Sequence, residues 1–519
     1  MKISKIYLLI IGVIFATSAC ELNEDPKIPN SDDLFSTIDG AQTVLNGCYS
    51  GMADFNYYGA DFHHLIDFSS GQFNSSKREH FTDILAFNIM PSLNYVENFW
   101  TGCYRAVART NNLIENLQQV SYRDTVEQEN ILGQAYFLRG LTYFNLVRVY
   151  GGVPLHTQFP DAENLFKERA SVEEVYAQVI ADMEEAAKLL RGLDTQASGR
   201  PANLAAHFVL AKVYMTLASN PSATNAAELW QKAYDEAIQL YGRYKLVGNY
   251  SSLWAEATSD NTSESIFEIQ GNIENTLRLH QLFTPSNGNK GRTVWGRIRP
   301  NIECIDQHTA QYPNDPRLAA TFLTSYASYN TAGVASTVTT YPTFKTRGNN
   351  SRSYPYLNKY YIKDHTRANY YTTQNFVVFR YADLLLMLAE IENELNGPDN
   401  AYKYVNEVLL RARNSVNPVA AQPADWSGLT QELFRARIMK EYRYELLGEG
   451  HEYFNDRRRG WDYFKTNVID AHNNYSKYDF TKEGDVKLNE SERSMLMPIP
   501  ETEIINNPLI SNQDQNPGY

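Results

Sequence analysis

The chain has 519 residues, with 47 Lys and Arg against 60 Asp and Glu, a formal net charge of −13. That balance, without a basic block, argues against nucleic acid, where cationic side chains must neutralise phosphates, and offers nothing to anionic head groups. Four cysteines are too few for a disulfide scaffold, and 36 Tyr against 24 Phe suits surfaces that stack on a ligand while staying wet.

Lys2 and Lys5 precede an apolar run from Ile6 to Phe15, then Ala16, Thr17, Ser18, Ala19 and Cys20. A charged start, a short apolar core and small residues at the cut describe a secretory signal over residues 1–19. It is too short to span a bilayer as a mature helix, and no second apolar run reaches the roughly 18–20 residues required. Cys20 resembles the acylated first residue of a bacterial lipoprotein; an ordinary signal with an incidental cysteine is the alternative. Glu21, Glu24 and Asp25 resemble the acidic export tag of surface-exposed lipoproteins in the Bacteroidetes. The mature chain, residues 20–519, has lost two lysines and carries −15. It is expected to be lipid-anchored at the outer membrane and exposed at the cell surface.

Ile38, Ala41, Val44, Leu45 and Cys48 form one stripe and predict a helix over 38–55. Residues 56–94 are irregular. A hairpin follows, its arms at about 97–120 and 127–149, the second stopping at Gly151-Gly152. Ser171 with Glu174 forms a capping box opening a second pair, whose partner starts at Pro201. Another helix covers 226–241. Trp100, Phe144 and Trp230 sit on apolar stripes and belong to the core. Cys48 and Cys103 read as small buried hydrophobes in preference to a disulfide.

Residues 243–375 are rich in Asn, Thr, Ser, Gly and Tyr, which predicts a loop-rich insertion with short strands. Helices resume at 379–396, 399–414 and 430–449, and a Pro-rich tail over about 470–519 must wrap other elements to be ordered. The fold class is therefore mainly α. Its platform of tetratricopeptide-like hairpins covers about 38–55, 97–241 and 379–459, and the irregular region covers about 56–94 and 243–375.

Several segments carry a family resemblance. They include Trp100…Tyr104…Asn111, the run from Gln134 to Arg139, and Val147 to Leu155. Phe379 to Leu386, Met497-Pro498-Ile499-Pro500 and Asn516-Pro517-Gly518-Tyr519 complete the set. In this order they resemble the SusD/RagB family of outer-membrane nutrient-binding lipoproteins, nearly end to end. The resemblance implies a single SusD-like domain over 20–519, an oligosaccharide or peptide ligand, and a SusC-like TonB-dependent transporter as partner. One block departs: Tyr442 and Glu452 stand where the family has arginines, and Asn455 where Asp is usual. Glu441, Arg443, Glu445, Glu449 and Arg458 fit, and the block reads as a buried ion-pair network needing compensating partners.

Sugar binding calls for ring faces flanked by in-plane hydrogen-bonding groups. Two stretches offer them. One is Phe55 to Tyr58 with Asp61 and His64, giving Tyr57, Tyr58, Asp61 and His64 as candidates. The other gives Asn287, Asn289, Arg292 and Trp295, with Arg297 beyond. Trp295 is the first choice, because a Trp in a polar loop has little core to join. Tyr326, Tyr329, Tyr354 and Tyr356 are weaker. No GxSxG, HExxH, phosphate loop or dinucleotide fingerprint occurs, and His451-Glu452 lacks a second His at the right spacing. No CxxC occurs and His63-His64 has no spaced partner, so neither metal nor cofactor is expected. The reading is a binding protein, not an enzyme; a protein-binding helical scaffold is the remoter alternative.

Overall fold

The computed structural model describes residues 34–77, 80–272, 277–342, 354–481 and 485–519. The expected signal over residues 1–19 and Cys20 lie outside the described residues.

Helix α1, Ile38–Met52, starts where Thr37 Oγ1 accepts from Gly40 N at 3.1 Å, and buries Ala41, Leu45, Cys48 and Met52. It ends three residues earlier than the stripe predicts. The chain turns there into a single wide turn, Phe55–Gly59, in which Tyr57 breaks from helical geometry. Helices α2, Asn94–Gln119, and α3, Thr125–Tyr150, form the first hairpin. Gly151 ends α3 at φ +73°, a conformation that side chains with a Cβ rarely adopt.

Helix α4, Val172–Leu189, opens on the expected capping box, Ser171 Oγ accepting from Glu174 N and Glu174 Oε2 accepting from Ser171 N. The hairpins stack in order: α3 packs on α2 and α4, then α5, Asn203–Ala218, packs on α4 and on α6, Ala226–Ala237. Gly140 lets α3 and α4 approach, since a Cβ there would lie 2.9 Å from Met183 Cε and 3.0 Å from Asp182 Cβ. Arg139 then pairs with Asp182 at 2.6 Å across the same contact.

The predicted helix over 379–396 is corrected at its start. Phe376–Arg380 is strand β6, pairing antiparallel with β2, Ser265–Ile269, and helix α7 covers Tyr381–Asn396. A run of Phe and Val suits a pleated, fully buried ladder better than a helix turn. Helices α8, Pro398–Asn414, and α9, Gln431–Leu446, pack around α7. The insertion holds the expected short strands. β1, Phe73–Ser75, pairs with β3, Ile298–Pro300, while β4, Ser325–Tyr329, and β5, Ala335–Thr339, form a hairpin.

The tail is not simply extended but includes short helical turns such as Glu501–Asn506. It closes on the end of α3: Met497 N donates to Val149 O at 2.8 Å, and Asn516 Nδ2 to Tyr150 O at 2.8 Å.

The expected ion-pair network is present and its partners come from elsewhere in the chain. Glu445, fully buried, accepts from Arg380 at 2.7 Å, from Arg317 at 3.0 Å and from Arg411. Glu449 takes Lys359 and Arg380, each at 2.6 Å, and Glu441 takes Arg317 at 2.7 Å. Burial pushes the Glu445 carboxyl up, but Arg411, Arg380 and Arg317 outweigh it and hold the group well below the usual range. With Asn455 in place of Asp, Arg443 instead meets Asp456 at 3.2 Å. Glu452 has no such rescue: its Oε2 is buried without a partner among the described residues. Burial, then the charge of Asp67, pushes its carboxyl up to about 8.

Candidate ligand-binding site

The β1–β3 ladder sets Asn74 opposite Arg299 and so lays Gly296 and Arg297 beside Ser76. Ser76 N donates to Arg297 O at 3.2 Å, and Ser76 Oγ to Gly296 O at 2.6 Å. Between this ladder and the start of α2 opens a cavity of about 710 Å³. It joins the two stretches singled out in the sequence, although more than 200 residues separate them. Phe55, Asp61 and His64 line it from one side, Trp295 and Arg297 from the other.

The walls are aromatic. His64 stacks on Phe81 with ring centroids 5.6 Å apart, and Phe81 stacks on Tyr95 at 5.5 Å. Arg297 lies 4.1 Å from the Trp295 ring centroid, so guanidinium and indole form one platform. No hydrogen bond or ion pair engages that guanidinium among the described residues. Phe55, 41 % exposed, stands at the rim.

Asp61 organises the floor. Its Oδ1 sits 2.8 Å from His64 Nδ1, and its Oδ2 accepts from Asn98 Nδ2 at 2.9 Å. Burial lowers the His64 imidazole below its ordinary value despite Asp61, so it is neutral at pH 7. With Nδ1 engaged by Asp61, Nε2 is buried with no hydrogen-bond partner among the described residues.

Several sequence candidates do not reach the cavity. Tyr57 and Tyr58 are fully buried, and both hydroxyls accept from Asn145 Nδ2 at 2.8 Å. The break at Tyr57 turns both rings inward against Phe99 and Phe62. Asn289 is equally buried and acts as a loop brace, its Oδ1 accepting from Thr293 N at 3.1 Å and its Nδ2 donating to Asn369 O at 3.1 Å. Asn287 and Arg292 bond each other at 2.9 Å outside the cavity lining. Tyr326, Tyr329, Tyr354 and Tyr356 also lie outside it. Trp100, Phe144 and Trp230 are core, as their stripes indicate.

Sequence reasoning missed Phe81, Tyr95 and Asn98. The only available signal was Asn94-Tyr95 just ahead of the helix, which starts at Asn94, earlier than predicted. Cys48 and Cys103 are buried free thiols, and burial pushes Cys48 up to about 12. Among the described residues no cluster could hold a metal ion and no helix is long and apolar enough to cross a membrane.

The family model for the SusD family matches residues 245–519. The chain belongs to the SusD family. A second model, described as starch-binding associating with outer membrane, matches residues 24–215. SusD-like protein P25 of Formosa agariphila is 26 % identical, with all of both chains covered. A SusD homolog from Bacteroides thetaiotaomicron shares the fold at TM-score 0.74 and 21 % identity, over 96 % of this chain and 99 % of that one. Surface glycan-binding protein A from Bacteroides uniformis shares it at TM-score 0.70 and 20 % identity, over 92 % and 99 %. The mainly α SusD fold expected from the sequence is thus the fold of this chain.

Proposed function

We propose that this SusD-family protein captures an oligosaccharide at the cell surface and delivers it to a SusC-like TonB-dependent transporter. The observation that carries the reading is the Trp295–Arg297 platform facing His64 and Phe55 across a cavity of about 710 Å³. An indole face meets the apolar face of a pyranose, and the free N–H groups of Arg297 and the polar groups of Asn94 and Asn98 meet its hydroxyls. The volume falls within the roughly 300–1,000 Å³ typical of small-ligand sites. The surface glycan-binding relative supports a sugar as ligand and the surface as location.

Cys20 is the proposed lipid attachment point, and the hairpins α2–α6 the proposed face toward the transporter. Isothermal titration with a panel of neutral oligosaccharides and of peptides tests the reading. A glycan that binds the parent and loses at least tenfold in Trp295→Ala supports it. Binding to peptides alone would move the protein to peptide uptake of the RagB type, and turnover of any glycan would make it an enzyme.

A further inference from the structure

A second groove, of about 640 Å³, runs between the hairpins and the segment after α9. Three arginines, Arg148, Arg457 and Arg458, are among its lining residues. Arg458 is neutralised by Glu390 at 2.6 Å; the other two have no carboxylate partner among the described residues.

Arg148 is clamped between Phe144 and Phe454, whose ring centroids lie 3.6 and 3.7 Å from its guanidinium carbon. Its Nε donates to Phe144 O and its Nη2 to Asn145 Oδ1, which leaves Nη1 without an acceptor among the described residues. Burial without a counter-charge lowers Arg148 to about 10. Arg457 is 8 % exposed and stacks on Tyr453 at 3.8 Å. Its Nε and Nη2 donate to Ser494 O and Ser69 O, while its Nη1 is buried with no partner among the described residues.

A guanidinium withdrawn from water without an ion-pair partner is costly, and buried Arg457 and half-buried Arg148 both line this groove, which gives it reason to hold an anion. The carboxylates lining the groove, Glu173, Asp462 and Glu492, are all exposed on its rim. Water screens them far more than it screens buried Arg457.

We propose that this groove binds an oxyanion, the carboxylate or sulfate of an acidic sugar or a free inorganic anion, between Arg148 and Arg457. The rings of Tyr453 and Trp461 beside it would contact the body of a sugar. This site is separate from the cavity at Trp295 and shares no lining residue with it.

The test is titration of the mature chain at constant ionic strength with sodium sulfate, glucuronate and glucose. Saturable binding of an anion, absent for glucose, is expected, with about a tenfold loss in Arg148→Met. Sulfate binding alone assigns the free anion; binding of both assigns the acidic sugar. Because Arg148→Met could fail to fold, the exposed rim variant Asp462→Asn is the second reading, expected to tighten anion binding two- to threefold at low salt. No saturable anion binding in the parent overturns the proposal, as does unchanged affinity in both variants. Trp295→Ala is expected to leave anion affinity unchanged, so failure here and failure at the first cavity are told apart.

Discussion

Arg380 Nη1 donates to Glu445 Oε1 at 2.7 Å, tying the last residue of β6 to the last turn of α9. The same nitrogen donates to Glu264 Oε1 at 2.7 Å, and Arg380 Nε reaches Glu449 at 2.6 Å. One guanidinium therefore joins the residue just before β2, the end of β6, the last turn of α9 and the segment just after it. The insertion is fastened to the helical platform through buried charge.

Glu445→Ala leaves Arg380, Arg317 and Arg411 facing an empty volume. Removing one partner of a buried ion pair costs about 3–5 kcal/mol. A clear fall in the urea midpoint and in Tm is expected. Unchanged values would show that the network contributes nothing to stability.

Glu452 gives a pH signature. Its folded carboxyl lies near 8 against an ordinary 4.5, so between those values the folded state holds a proton that the unfolded state has released. Stability therefore falls as pH rises from about 4.5 towards about 8 and levels off above. Glu452→Gln imitates the protonated form and should flatten that slope by at least about 1 kcal/mol between pH 5 and pH 8. Urea melts of both proteins across this range check it, and equal slopes would refute the protonated state.

Arg297→Met keeps the packing on Trp295 and removes the hydrogen-bond donors. Affinity for the cognate glycan is expected to drop about ten- to 150-fold, the range for hydrogen bonds to charged groups. Retained affinity in calorimetry would place the ligand elsewhere on the surface.

Tyr58→Phe separates core from site. It deprives Asn145 Nδ2 of one acceptor and should cost about 1 kcal/mol of stability while glycan affinity stays within twofold. A strong loss of affinity with unchanged melting would return Tyr58 to the ligand surface.

Cys20→Ala addresses the anchor. Metabolic labelling with a fatty acid should mark the parent protein and leave the variant unmarked. An unlabelled parent would return the protein to the periplasm in soluble form.

Helices are legible in this chain wherever a single face is buried, as in α1 with Ala41, Leu45 and Cys48. The site is legible only in part. Trp295, Asp61 and His64 stand out because aromatic and polar residues share a loop-like context. Tyr57 and Tyr58 look the same in sequence and end in the core, because one non-helical residue at position 57 turns both rings inward. Nothing local in a sequence reports such a break.

The sequence by itself determined the class of this protein: the paired helices and the ordered family segments are local patterns, written in spacing and residue type. Only the tertiary structure decided which residues meet. Trp295 reaches the Asp61–His64 pair through the β1–β3 ladder, and Arg380 reaches Glu445 through β6. Both contacts join parts of the chain far apart in sequence. Their pairing depends on backbone hydrogen bonds and burial, which no short window of residues encodes.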